Sequence, residues 1–135
     1  MKYVVAYVST MVIFLAIDAV WLTTMSSRLY RQYLGDLLAE SFNPTPAVLF
    51  YLIYVAGIVM FAISPAFASG RWTTAALYGG MLGFLAYATY DLTNHATLRG
   101  WPAVITVADL CWGSALTAVA AAGGFLVTRY FVPQG

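Results

Sequence analysis

The stretch YVVAYVSTMVIFLAIDAVWLT, residues 3–23, decides the fold class of this chain. A helix needs about 20 mostly apolar residues to cross the hydrocarbon core of a bilayer, and Asp18 is the one charged residue in this stretch. Lys2 in front of the apolar run is typical of a signal peptide, but the run continues past Asp18 to Leu22 and no small-residue cleavage site follows it. We therefore expect a retained transmembrane helix.

Three more apolar segments are long enough to span a membrane: residues 47–64, 72–92 and 102–130. The whole chain is 62% hydrophobic and 8% charged, with a mean hydropathy of +0.82, whereas a soluble domain carries about 25% charged residues. Most of the surface must therefore face lipid. The sequence predicts an all-α fold, a membrane-embedded antiparallel four-helix bundle that forms a single integral membrane domain over residues 1–135.

The segment between the first two spans has a different pattern. Over about residues 27–40, leucines and tyrosines fall on one helical stripe and charged side chains fall on the other. Asn43-Pro44-Thr45-Pro46 then ends this segment and redirects the chain. The pattern predicts a short amphipathic helix that lies in the plane of the membrane interface.

Charge gives little information about membrane orientation. The positive-inside count compares two equal groups, Lys2, Arg71 and Arg129 on the N-terminal side and Arg28, Arg31 and Arg99 on the opposite side. The free amino terminus favours an arrangement with both termini in the cytoplasm. The formal net charge is +1 and there is no basic run, so we expect no nucleic acid partner.

Three acidic residues fall inside the predicted spans. Asp18 lies near the end of the first span, Asp91 near the end of the third, and Asp109 about two turns into the fourth. Because odd-numbered spans end on the side where the fourth begins, all three belong to one leaflet, at depths of roughly 2 to 11 Å from the nearest span ends. A carboxylate at membrane depth is costly unless it is paired, hydrated or protonated. Polarity is therefore predicted to be one-sided.

Further polar and aromatic residues occur at the same level. Each of the pairs Asp18/Trp21 and Asp109/Trp112 has the i, i+3 spacing that places two side chains on one helix face. Trp21 and Trp101 also stand where an aromatic belt is expected. The predicted ligand pocket comprises Asp18, Trp21, Tyr90, Asp91, Asn94, Thr97, Trp101, Thr106, Asp109 and Trp112.

One block of this region is specific enough to indicate a family. The run Tyr90-Asp91-Leu92-Thr93-Asn94, followed by Asp109-x-x-Trp112-Gly113 and preceded by Asp18-x-x-Trp21, resembles a family of small bacterial membrane proteins known as domain of unknown function 2177. The resemblance covers essentially the whole chain. It implies four spans and a location in the bacterial cytoplasmic (inner) membrane, and it carries no activity to transfer.

Two interpretations of the aspartates compete. In the first, they form a one-leaflet polar pocket that binds or processes a lipid-like or other amphipathic small molecule. If the site is catalytic, Asp18, Asp91 and Asp109 are the candidates, with a protonated Asp109 or Asp18 as general acid and an ionised partner as base. In the second, the carboxyls only accept hydrogen bonds between helices and fix their register.

Two other roles for the whole protein stay open. One is a subunit for proton- or cation-coupled transport, since carboxylates inside the membrane mark such pathways. The other is a non-catalytic accessory subunit of a larger membrane complex. Membrane lipids are expected partners in every case, and a homo-oligomer remains an alternative.

The sequence offers weak support for metal or cofactor chemistry. Asp91 and His95 stand at i and i+4 and are the weak candidates for shared metal ligands, but one histidine with three carboxylates matches no strong ligand signature. Phosphate-binding glycine loops and other cofactor motifs are absent from the sequence. We therefore expect no metal and no cofactor, and enzymatic activity stays undecided.

Overall fold

A computed structural model of the protein describes residues 1–25 and 44–133. Within these ranges the chain forms four helices: α1 Lys2–Met25, α2 Pro44–Ser69, α3 Trp72–Thr97 and α4 Ala103–Phe131. The all-α prediction is confirmed, and each predicted span overlaps one helix. The predicted interfacial helix, at about residues 27–40, lies outside the described residues.

Helices α1, α2 and α4 are long and apolar enough to cross a membrane by length and composition. Helix α3 is as long as α2, but its hydroxyl, amide and carboxyl side chains make it less apolar, and it is not among these three. Its apolar N-terminal part nevertheless packs closely along α4. The protein is thus a multi-pass membrane helical bundle, and a crossing by α3 remains a prediction.

The interface between α3 and α4 depends on small residues. Gly79 lies so close to Ala121 and to the backbone of Thr117 that a Cβ atom at position 79 would overlap them. The hydroxyl of Ser114 donates a hydrogen bond of 2.8 Å to the carbonyl of Gly80. Apolar side chains gain little free energy by moving from lipid into a helix interface. Close packing of the two backbones is therefore a main source of helix association in a membrane. Small residues on α3 and α4 therefore allow the two backbones to approach closely.

Helix α2 contains one turn of wider π geometry, Val59–Ile63, in which the N–H of Ser64 bonds to the carbonyl of Val59. Pro65 follows directly and has no N–H to continue the regular pattern, which accounts for the local change. The wider turn packs against α3 and leaves Ile63 fully buried. The turn thus keeps α2 in contact with the rest of the bundle past the proline.

Apolar side chains occupy both the interior and the outer surface. Phe14, Ile58 and Phe125 are completely buried, whereas Val8 and Val12 on the outside of α1 are 55% and 61% exposed. This distribution matches lipid contact, because in water such a surface would be strongly unfavourable.

Candidate functional site

The aspartate cluster, defined as Asp18, Asp91 and Asp109, lies at one level of the bundle. Each residue is about 9 to 11 Å from the end of its helix on the side where α1 and α3 end and α4 begins. All three side chains are buried, with exposures of 7%, 0% and 7% respectively. They come from three different helices, so the fold brings together residues that are up to 91 positions apart in sequence.

Asp18 accepts hydrogen bonds from two neighbouring helices. The hydroxyl of Tyr51 on α2 donates to its Oδ2 at 2.5 Å, and the indole N–H of Trp112 on α4 donates to its Oδ1 at 3.5 Å. Asp18 therefore links α1, α2 and α4 as a hydrogen-bond acceptor.

Asp91 has a different environment. Both of its carboxyl oxygens are buried, and neither has a hydrogen-bond partner among the described residues. The side chain that faces it is the carboxyl of Asp109. Two ionised carboxylates are both acceptors and cannot bond to each other, whereas a carboxylic acid can donate to a carboxylate.

Tyr87 lies near the aspartate cluster and was not identified from the sequence. Its hydroxyl is within electrostatic range of both Asp18 and Asp109. Its ring lies directly over Gly113 of α4, where a Cβ atom would overlap the ring atoms. The sequence did contain a signal, since Tyr87 and Asp91 stand at i and i+4 on α3. Tyr51 gave a weaker signal, as one of the two tyrosines in α2.

Trp21 and Trp112 pair across the bundle. Their rings stack with centroids 4.2 Å apart and planes 10° apart. Each had been expected to share a face with the aspartate on its own helix. In the structure, Trp112 instead bonds to Asp18 of α1, so the pairing that matters is between helices.

The remaining predicted pocket residues form contacts of their own at this end of the bundle. Trp101 is buried, its indole N–H donates to the hydroxyl of Thr106 at 3.0 Å, and its ring meets that of Tyr90 edge-on at 6.1 Å. Tyr90 is itself 59% exposed. The hydroxyl of Thr97 donates to the carbonyl of Thr93, and the carbonyl of Asn94 accepts from the N–H of Leu98 at the end of α3. These contacts lie near the end of α3 and the start of α4.

The weak metal candidates do not converge. Asp91 is completely buried, whereas His95, one turn further along α3, is exposed. Among residues 1–25 and 44–133, no group of three or more histidine, cysteine, aspartate or glutamate side chains has the spacing to hold a metal ion. Cys111 is exposed and free.

A groove opens beside the cluster, on the outside of α1 and α4. The tryptophan groove, as we call it, has a volume of about 440 Å³ and is lined by Ile17, Val20, Trp21, Thr24, Met25 and Trp112. Its walls are almost entirely apolar. The tryptophan groove and the aspartate cluster meet at Trp112, which lines the groove and donates to Asp18. The ligand pocket expected from the sequence stays a prediction.

The opposite half of the bundle contains buried hydroxyl groups. Thr10, Thr117 and Thr128 are completely buried. Thr117 shares a hydrogen bond of 2.8 Å with the hydroxyl of Tyr54, and Thr128 donates to the carbonyl of Gly124 at 2.7 Å. The Thr10 hydroxyl has no partner among the described residues. The described aspartates all lie in the other half, as the sequence predicted.

Residues 3–126 match the model of a family described as "Predicted membrane protein (DUF2177)". This match confirms the resemblance noted in the sequence. Comparisons with curated proteins and with solved structures gave no match.

Proposed function

Because the chain belongs to the DUF2177 family of predicted membrane proteins, we propose that its ligand comes from the membrane itself. The proposed function is to bind an amphipathic, lipid-like molecule in the leaflet that contains the aspartate cluster. The apolar part of the molecule occupies the tryptophan groove, and its polar end is directed toward Asp18.

The size and lining of the groove support an apolar occupant. A volume of about 440 Å³ falls within the range of about 300 to 1,000 Å³ that is usual for small-molecule sites. The stacked rings of Trp21 and Trp112 provide a rigid wall, and aliphatic side chains complete it. An acyl or isoprenoid chain matches such an apolar lining.

The carboxyl groups determine the chemistry of the polar end. Carboxylate oxygens accept hydrogen bonds, so a fitting head group has donors, either hydroxyl or ammonium. Asp18 borders a groove residue directly, through the N–H of Trp112. One observation carries the proposal: the same indole forms the wall of the groove with its ring and contacts the cluster with its nitrogen.

Native mass spectrometry of protein extracted in mild detergent tests this proposal. We expect a co-purifying lipid-like molecule on the unmodified protein and its loss from Val20→Trp, which fills the groove. Val12→Trp is the matched control, because Val12 lies on the same helix, is equally exposed, at 61% against 65%, and is outside the groove. Equal retention by both variants, or no bound molecule on the unmodified protein, would contradict the proposal.

The polar end is tested separately with Asp18→Asn and Asp109→Asn in the same assay. Weaker retention of the ligand in these variants is expected if the head group contacts the cluster. If the groove variant abolishes binding while both asparagine variants bind normally, the apolar half of the proposal stands and the polar half is wrong. Circular dichroism of each variant establishes that the helices are intact.

Proton- or cation-coupled transport is the second candidate. Asp91 favours it, since a buried carboxyl without a hydrogen-bond donor is the kind of group that binds and releases a cation inside a membrane. Thr10 and Thr117 add hydroxyls in the other half of the bundle. Flux into proteoliposomes that disappears with Asp91→Asn, with no bound lipid-like molecule, would favour transport over binding.

A further inference from the structure

Asp91 is the most deeply buried ionisable group of the aspartate cluster. Its side chain is 0% exposed, and both carboxyl oxygens are without a hydrogen-bond partner among the described residues. An ionised carboxylate in such surroundings is unfavourable by several kcal/mol, because nothing replaces the water it has lost. A neutral carboxylic acid in the same place avoids most of this penalty.

The neighbour of Asp91 determines what the neutral form can do. The carboxyl of Asp109, on α4, faces it. With both groups ionised, their oxygens repel and no hydrogen bond is available. With a proton on Asp91, its O–H becomes a donor and a carboxylate oxygen of Asp109 becomes the acceptor, which forms a short charge-assisted hydrogen bond.

We infer that Asp91 is a proton-binding site of this protein, held as a neutral carboxylic acid whose O–H donates to the carboxylate of Asp109. The two carboxyl groups and one proton form this hydrogen bond without a metal ion or a bound ligand. The inference stands whether or not the tryptophan groove binds a lipid, since it depends on contacts between α3 and α4.

The charged and titratable groups on each packed helix agree with this assignment. On α3, Tyr90 and Tyr87 are near the pair and are neutral phenols. On α1, Asp18 has its own donors, the Tyr51 hydroxyl of α2 and the Trp112 indole of α4. His95 and Arg99, at the end of α3, are exposed. Asp91 is therefore the member of the cluster whose surroundings favour the protonated form.

A proton held in this way is available for chemistry within the membrane. Release of the proton leaves two carboxylates next to each other, so a cation or a donor-rich head group would then be drawn to the pair. Both acid catalysis and proton-coupled transport use a stored proton of this kind. From the sequence, Asp109 or Asp18 was expected as the general acid if the site is catalytic; the present inference adds Asp91 as a proton donor.

Infrared spectroscopy of the protein in lipid nanodiscs tests the inference. The unmodified protein at neutral pH should show the carbonyl stretch of a protonated carboxylic acid. This band should be lost in Asp91→Asn and kept in Asp18→Asn, which is the matched control at the same depth. In Asp109→Asn the band should persist at a shifted frequency, because the acceptor has changed.

Two results would overturn the inference. They are the absence of the band from the unmodified protein and its persistence in Asp91→Asn. Asparagine has nearly the shape of a protonated aspartic acid and can donate to Asp109, so Asp91→Asn should fold. Solid-state NMR of the unmodified protein with ¹³Cγ-labelled aspartate gives a second measurement that needs no substitution, since one carboxyl should have the shift of the neutral acid.

Discussion

The hydroxyl of Tyr51 donates a hydrogen bond of 2.5 Å to the carboxylate of Asp18, and this contact joins α2 to α1 at the level of the aspartate cluster. Asp18 also accepts from Trp112, so one carboxylate orients side chains from two other helices. The relationship sets Asp18 apart from Asp91, which has no such donor. Two carboxyls at the same depth thus have different hydrogen-bond surroundings among the described residues.

Tyr51→Phe should weaken the bundle by removing one donor from a buried carboxylate. We expect a loss of about 1 to 3 kcal/mol in the free energy of unfolding, which is the usual range for a charge-assisted hydrogen bond. Tyr7→Phe is the matched control, because the Tyr7 hydroxyl donates at 2.9 Å to the uncharged carbonyl of Leu52 across the same two helices. Steric trapping in bicelles measures both free energies. Equal losses would show that the charge of Asp18 adds nothing.

Gly113→Ala should disturb the site through packing alone. A Cβ atom at position 113 would overlap the ring of Tyr87, whose hydroxyl is within electrostatic range of Asp18 and Asp109. We expect a destabilisation of about 1 to 3 kcal/mol, as for other overpacked positions. Gly57→Ala should be neutral or slightly stabilising, because the space around that position is open and alanine favours a helix. Thermal unfolding in detergent compares the melting temperatures of the two variants. Similar melting temperatures would contradict the close contact between Gly113 and the Tyr87 ring.

Thr10→Val should leave the stability unchanged or raise it. The Thr10 hydroxyl is buried and has no partner among the described residues, so a methyl group of the same size removes an unpaired polar atom. Thr117→Val should be destabilising by about 1 kcal/mol, because it removes the hydrogen bond to Tyr54. The comparison uses the same unfolding assay. A clear loss of stability in Thr10→Val would mean that this hydroxyl has a partner, such as a bound water.

Much of the architecture could be predicted from the sequence because long apolar segments have few alternatives in a membrane. The four helices and the common depth of Asp18, Asp91 and Asp109 follow from segment lengths and alternating direction. The rotation of each helix about its axis could not be predicted in the same way. Helices that are apolar on every side give no periodic signal, so the contacts of Tyr51 and Tyr87 with the cluster were missed.

The pairing of aromatic residues shows the same limit. Trp21 was expected in an interfacial belt or beside Asp18, and the stacking of its ring on Trp112 depends on the packing of α1 against α4. The apolar lining of the groove likewise depends on which faces of α1 and α4 pack together. Spacing along one helix identifies neighbours on that helix but says nothing about the partner across the interface.

A crystal structure of the protein grown from a lipidic mesophase tests the central claim most directly. We predict elongated density along the tryptophan groove, in contact with Trp21 and Trp112, with its polar end toward Asp18. The same crystals grown from Val20→Trp should lack it, and those from Val12→Trp should keep it. An empty groove, in a map that shows ordered lipid elsewhere on the bundle, would contradict the account.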